Sequence, residues 1–431
     1  MPEVTTPVDH YGALFAQRSH ADLPLWLPPL QRAAQSRFAE LGFPGRQDEE
    51  WRFTDVRPIA EIPFGRASHD ADAAAAVAAF AFEGIAQIVF VNGRYRSELS
   101  TVGALPGGAK VLPLSEALRA HASLLEPHLG RYTEFEHAPF AALNTALFDE
   151  GAFVYLPRGT AVDQPIHLLY VATESNSGSH PRTLIVAEEN SQATLVESYA
   201  GAENVVYFTN AVTEVVLGEH ALVDHYKLQR ESDSAFHIAQ MNVRLKRSSV
   251  FSSHSITFGG AITRNDVNAF LAGEFIECTL NGLYLGDGRR VVDNHTSIDH
   301  AMPYCNSHEI YKGILDGHSR GVFNGKIFVR QDAQKTDAKQ TNRTLLLSEG
   351  AQINTKPQLE IFADDVKCTH GATVGQLNEN QLFYLRARGI PLEDARALLV
   401  YAFAGEIVSR IKVEPVRDAL DKQLLSRLPA I

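Results

Sequence analysis

From about residue 151 to residue 375, short β-rich runs recur every dozen residues or so, separated by Gly, Asn, Asp and Ser, with almost no helical pattern between them. Runs at 153–156, 166–171, 183–186, 193–199, 205–209, 212–217, 222–228, 236–245 and 250–258 illustrate the spacing. A block of this kind can fold only as a sandwich, a barrel or a β-solenoid. Over a dozen candidate strands in one uninterrupted stretch exceed what one sandwich holds. Polar positions recur through the block at Asn265, Asn268, Asn281, Asn294, Asn306, Asn324, Asn342 and Asn354, as expected where stacked coils turn repeatedly. No strict repeat accompanies them, so periodicity favours the solenoid without closing the other two choices.

Helical patterns flank this block, which gives three parts: a mostly helical region over 1–150, the β core over 151–375, and a helical region over 376–431. Pro29 can open a helix with the stripe Leu30, Ala34, Phe38 and Leu41, and Gly42 can end it. Trp51 reads as a packing anchor. The alanine-rich stretch 68–82 fits a helix or a linker equally well. Beyond the core, Asn378 and Gln381 have capping-box spacing, Gly389 is a natural stop and Pro391 can start a second helix. Residues 397–404 are apolar all round, so that helix is expected to be covered on more than one side. A third helix after Pro415 carries Val416, Leu420, Leu424 and Leu428 at steps of four. Together these helices are expected to cap the solenoid.

Charge excludes some functions: 39 Lys and Arg against 51 Asp and Glu give a net charge of -12, so no basic field draws nucleic acid or anionic lipid. Three scattered cysteines, Cys278, Cys305 and Cys368, cannot form a disulfide framework and suit a reducing compartment. The segment 1–10 has no basic stretch leading into an apolar core, and the longest apolar run, 73–82, is too short to span a bilayer. A cytoplasmic protein is expected. No Gly-x-x-x-x-Gly-Lys-Ser/Thr loop, nucleophile elbow, His-Glu-x-x-His helix or Cys-x-x-Cys pair occurs, so the chain offers no catalytic motif.

The chemistry concentrates in Asp364-Asp365-Val366-Lys367-Cys368-Thr369-His370-Gly371-Ala372-Thr373. On an extended strand Cys368 and His370 leave the same face and can reach one soft metal ion. Two donors cannot close a tetrahedral site, so another chain would have to supply the rest. The alternative is a buried thiol beside a hydrogen-bonded histidine. A second group, His295, His300, His308 and His318 with Asp293, Asp299, Glu309 and Cys305, could hold a metal, although a solvated strand face explains it as well. Cys278, between Ile276 and Leu280 on one face, reads as core.

This run resembles the SufB/SufD family of the Suf iron–sulfur cluster assembly complex. Residues 322–325 (Val-Phe-Asn-Gly), 335–337 (Lys-Thr-Asp), 340–342 (Gln-Thr-Asn), 355–361, 381–385 and 388–390 carry the likeness over 300–411, and 47–54 looks like the family's N-terminal signature. Gly371 stands where the SufB pattern has an acidic residue, and no cysteine-rich N-terminal segment is present, so the chain is nearer the SufD branch than its SufB paralogue. The resemblance implies a right-handed parallel β-helix core and a non-enzymatic scaffold that pairs with SufB through residues 350–375 and recruits the ATPase SufC through the C-terminal helices. It implies that an iron–sulfur cluster is held transiently at the SufB junction, with His370 serving it and Cys368 beside it. For the ATPase, the apolar residues Leu399, Phe403, Leu420 and Leu424 are expected to form the contact. An unpaired solenoid edge implies a homodimer when the chain is alone. The rival reading is a secreted-type β-helix carbohydrate enzyme using Asp364, Asp365 and Lys367.

Overall fold

The computed structural model describes residues 7–18, 23–67 and 73–427. Its body is a parallel β-solenoid of about eight turns, each contributing one strand to each of two ten-stranded sheets. The first sheet runs from Ala86–Val91 through Ala161–Ala172, Gln192–Gly201, Leu222–Arg230, Val250–Thr257, Glu277–Gly286, Asn306–Leu315 and Asp337–Leu346 to Lys367–Gly375. The second runs from Ala152–Leu156 through Arg182–Ala187, Phe208–Leu217, Phe236–Leu245, Ile262–Leu271, Val291–His300 and Arg320–Val329 to Gln352–Ile361. Stacked side chains of both inner faces, among them Leu195, Val215, Val223, Val243, Leu271, Leu280, Ile298 and Phe323, fill the lumen. Buried on both sides, such strands read as nearly continuous apolar runs rather than as clean alternation.

The structure explains why no strict repeat is visible. Leu222, Val250, Glu277, Asn306, Asp337 and Lys367 lie under one another in register, yet the steps between them vary from 27 to 31 residues. Nor do the recurring asparagines make the turns. All eight lie inside strands, and Asn265, Asn281, Asn294 and Asn342 are fully buried. One corner is built instead by a column of left-handed residues: Asn190, His220, Ser248, Phe275, Tyr304 and Lys335, with φ between 55° and 63°. Five of these amides, all but that of Phe275, are tied to the next coil, as in Asn190 N–H to Glu219 O (2.9 Å), His220 N–H to Arg247 O (3.0 Å) and Lys335 N–H to Asp365 O (2.7 Å). These inter-coil bonds hold the backbone in place whatever side chain occupies the corner.

Residues 1–150 are less helical than the sequence suggests. Ala86–Val91 joins the first sheet in parallel with Ala161–Ala172, and Lys110–Pro113 pairs antiparallel with Ala152–Leu156, so the sheets begin well before residue 151. The helix Leu27–Leu41 ends as expected at Gly42, whose φ is 64° and whose amide donates to Phe38 O. In the alanine-rich stretch only Ala74–Ala78 is helical, and 68–72 fall outside the described residues. The N-terminal helices cover the second sheet: Tyr11, Ala34, Phe38, Phe140 and Leu143 pack on Phe208, Phe236 and Ile262. A buried ion pair fastens this layer, Arg182 to Glu214 at 2.7 Å, with Glu214 also accepting the amides of Gly130, Tyr132 and Thr133.

The C-terminal helices Glu379–Arg386, Leu392–Val408 and Glu414–Arg427 do not cap the solenoid; the last two lie along the flank of the first sheet. Val400, Ala404, Ile407, Val416, Leu420 and Leu424 pack there against Tyr226, Leu228, Ile256, Phe258, Leu283 and Ile314. Lys412 bridges to Asp224 at 2.8 Å, and Lys312 reaches Glu406 and the Phe403 carbonyl. The middle helix is covered, as expected, on more than one side, by the first sheet and by the helices before and after it, while Leu398 on its remaining face is 50 % exposed. An apolar stretch reports that burial is favourable and says nothing of which face is buried. Leu428 of the predicted stripe lies outside the described residues.

Candidate functional site

With both helical layers on the flanks, the far end of the solenoid stays open. Gln352–Ile361 and Lys367–Gly375 are the terminal strands of their sheets, the first largely half-buried and the second mostly exposed, and each leaves one backbone edge unpaired in the sheet order. Cys368 and His370 lie on the second of these strands. Register pairs Cys368 with Ala338 and His370 with Gln340, both buried lumen residues, so the thiol and imidazole share the face that would point into the lumen if another coil followed. The structure therefore brings the two together on one face at the one open end.

Their environments differ. Cys368 packs on Ile327, Val329, Ala333, Ala338 and Ala363, and burial pushes its thiol pKa up. His370 is exposed. Beneath them the lumen is polar. Gln340 donates from Nε2 to Glu309 Oε2 at 2.9 Å, Thr296 donates to Glu309 Oε1 at 2.5 Å, and burial pushes the Glu309 pKa up to about 7. Among the described residues no group of three or more His, Cys, Asp and Glu side chains is arranged to hold a metal ion. Of the residues a carbohydrate enzyme would need, Asp365 is taken up in an ion pair with Lys335 at a coil corner.

Among the described residues the second group forms no metal centre, and its strand face is only partly solvated, with Ser297 and Asp299 half-exposed and Asp293 buried. His300 is buried in the lumen, where Nε2 meets Ser307 Oγ at 2.9 Å and burial lowers its pKa to about 4, while His308 and His318 are exposed elsewhere. Asp293 and His295 lie under the N-terminal segment: His295 meets Asp293 at 3.0 Å and Glu50 at 3.1 Å, Thr54 donates to Asp293 at 2.6 Å, and Arg264 bridges to Asp293 at 3.2 Å and stacks over Trp51 at 3.9 Å. Trp51 is the anchor of this clasp, as its chemistry suggested, with Phe140 at 5.1 Å. Burial opposes a charge on His295, but Asp293 and the hydrogen bonds of Asp293 and Glu50 outweigh it and raise the pKa to about 9. A histidine whose folded pKa lies above its ordinary 6.5 contributes stability in full below that value, and the contribution is lost as pH rises through about 9. We expect His295→Gln to unfold more easily than the unmodified chain by on the order of 3 kcal/mol near pH 6. Urea titrations should show that gap closing by pH 9.5; a gap independent of pH would mean His295 is uncharged.

Cys278 is core, as read from the sequence, and burial pushes its pKa up to about 12. Leu420 and Leu424 are not available to a partner, because the flank of the first sheet already buries them. Leu399 and Phe403 are half-buried. The large apolar side chains that do stand out from the C-terminal helices are Phe383, Tyr384, Leu425, Leu398 and Leu392, at 74 %, 56 %, 53 %, 50 % and 38 % exposure. Phe383 and Tyr384 occur in the run 381–385 noted above, but a sequence does not show which apolar residues remain uncovered.

A two-sheet parallel solenoid, clad in helices along both flanks and open at one end where a thiol and an imidazole share a strand face, defines the class of protein. The chain belongs to the SufBD family of iron–sulfur cluster assembly proteins. Residues 170–403 match the SufBD core domain of the SUF system for FeS cluster assembly, and residues 11–168 match the SufBD protein N-terminal region. An iron–sulfur cluster assembly SufBD family protein of Synechocystis is 36 % identical over 402 residues, covering 90 % of this chain and 88 % of its own. The iron–sulfur cluster assembly protein SufD of Escherichia coli is 31 % identical over 392 residues, 90 % of each chain, and SufD of Bacillus subtilis is 29 % identical over 317 residues, 72 % of this chain and 71 % of its own. No helix among the described residues is long and apolar enough to cross a membrane.

Proposed function

We propose that the chain is a non-catalytic assembly subunit that pairs with a SufB-type paralogue through its open solenoid end, with an iron–sulfur cluster forming at that junction. The observation that carries the reading is the pair of terminal strands with an unpaired edge, Gln352–Ile361 and Lys367–Gly375, the second mostly exposed and bearing Cys368 and His370. Unpaired strands demand a covering strand from another chain. Iron accepts both thiolate and imidazole, and two donors leave coordination positions for a partner's ligands. The cluster is cargo rather than a resident group. Free cysteines suit a reducing compartment, for which we take the cytoplasm.

The same edges make the lone chain a homodimer. Light scattering on the isolated protein should give twice the chain mass, and addition of the SufB-type subunit should convert it to a heterodimer. A chain that stayed monomeric at high concentration and ignored the paralogue would refute the pairing.

Energy enters through an ABC-type ATPase of the SufC kind bound at the C-terminal helices. Phe383, Tyr384 and Leu398, with Leu399 and Phe403 beside them, offer the apolar contact, because exposed aromatic anchors carry most of an interface's energy. Phe383→Ala with Tyr384→Ala should weaken ATPase binding by roughly 2 kcal/mol or more, about 30-fold in Kd by calorimetry. Since both side chains face solvent, the melting temperature should hardly move, and unchanged affinity would place the ATPase elsewhere.

A further inference from the structure

Three lumen positions of the first sheet stand in one column: Glu309, Gln340 and His370, on successive strands and in register. The lower two are sealed, at 1 % and 2 % exposure. Glu309 fixes how the Gln340 amide lies. Where Glu309 is ionised, above the pKa of about 7 to which burial raises it, the carboxylate only accepts hydrogen bonds and the amide nitrogen is the end turned towards it, as in the structure, where Nε2 reaches Glu309 Oε2 at 2.9 Å. Gly325 on the opposite sheet leaves room for this arrangement, because a Cβ there would lie 2.4 Å from Gln340 Nε2 and 2.8 Å from Phe323 Cζ. The backbone at Gly325 is not left-handed, so what the site requires is its missing side chain.

With its nitrogen committed, Gln340 is left with a buried acceptor, Oε1, that has no hydrogen-bond partner among the described residues. An acceptor stranded in this way is destabilising until a donor reaches it. Asn342 Nδ2 and Thr355 Oγ1, also near the open end, are unmatched too, so its floor as a whole awaits donors and acceptors. The next residue of the Gln340 column is His370, whose ring always carries at least one N–H.

We propose that Gln340 is the positioning residue of His370: when a partner covers the solenoid end, Gln340 Oε1 accepts one imidazole N–H and so fixes the tautomer whose other nitrogen faces iron. This rests on the reading of His370 as a cluster ligand. A donor bond at the far nitrogen orients a metal-binding imidazole and raises its basicity, and removing such a partner typically lowers metal affinity 10–100-fold. It also gives the otherwise separate motifs at 322–325 and 340–342 one purpose, the first making space for the amide that the second supplies.

The test uses the full chain in complex with the SufB-type and SufC-type subunits at pH 8, above the pKa of about 7 to which burial raises Glu309. Pulsed electron paramagnetic resonance of the reduced cluster reads the quadrupole coupling of the remote imidazole nitrogen, which responds to its hydrogen bond. Gln340→Met should shift that coupling and lower cluster retention about tenfold. Gln340→Glu, which shares a proton with Glu309 and keeps an acceptor in place, should restore most of both. If Gln340→Met fails to fold, Glu309→Gln takes its place: the amide can then turn either way, and the coupling should split into two populations. An unshifted, unsplit coupling with full retention overturns the proposal. His370→Ala separates the two levels, since loss of the imidazole signal there with a silent Gln340→Met removes only the role of Gln340, whereas a surviving signal removes the ligand reading and the proposal together.

Discussion

Complexes carrying His370→Ala are expected to form cluster at least tenfold more slowly than unmodified ones, while the chain folds and recruits its ATPase as before. The side chain is exposed on the terminal strand, so truncating it removes no packing and should change stability by less than about 0.5 kcal/mol. On the proposed reading its loss removes an iron donor that only Cys368 shares on that strand face, since Gly371 and Ala372 follow and Thr369 points to the other face. Cys368→Ala should do less. That thiol is half sunk against Ala338 and Ala363, and burial raises its pKa, which disfavours the thiolate that would bind iron. Visible absorbance during reconstitution, with circular dichroism and subunit stoichiometry as controls, measures both variants. Cluster formation by His370→Ala complexes at the unmodified rate would make the residue a surface histidine.

Leu420→Asp and Leu424→Asp are each expected to strip the C-terminal helices from the solenoid flank. Both side chains are fully buried against the first sheet, at 1 % and 0 % exposure. Truncating such a leucine costs about 2–5 kcal/mol, and placing an unpaired carboxylate there adds its desolvation. ATPase binding should then fail because its platform has come loose. Limited proteolysis separates this from a surface effect: the aspartate variants should be cleaved in residues 376–427, while Phe383→Ala with Tyr384→Ala should resist protease and still lose affinity. Aspartate variants that stayed resistant would show that the flank does not depend on these contacts.

Stretches of sequence announced much of the fold. The apolar runs at 153–156, 166–171, 183–186 and 193–199 lie in strands, because positions buried on both faces of a parallel sheet are mostly apolar. Asn378 caps its helix by accepting the amides of Asn380 and Gln381, as their spacing indicated, and Gly389, with φ of 86°, closes it. Corner positions were not legible, because inter-coil hydrogen bonds impose the left-handed backbone on His220 and Tyr304 as readily as on Asn190. The parallel partner of Ala86–Val91 lies some eighty residues away, but the strand also turns through Asn92-Gly93, with φ of 50° and 77°, to pair with Arg94–Tyr95, a local hairpin signal that the sequence did carry.

The sequence by itself determined that the chain is mainly β, that helices flank the core, and that Cys368 and His370 share a strand face, since each follows from local composition and from alternation along a strand. Only the tertiary structure decided where the helices lie, and with that which surfaces stay open. The apolar stripe of Leu420 and Leu424 could have met a partner or the chain's own sheet, and long-range packing gave it to the sheet. Because that packing clads the flanks and leaves the last coil bare, His370 ends above the buried amide of Gln340 at an unpaired edge. Which residues stack across coils depends on steps that vary from 27 to 31 residues, and that spacing is set by the closure of each coil rather than by any local pattern.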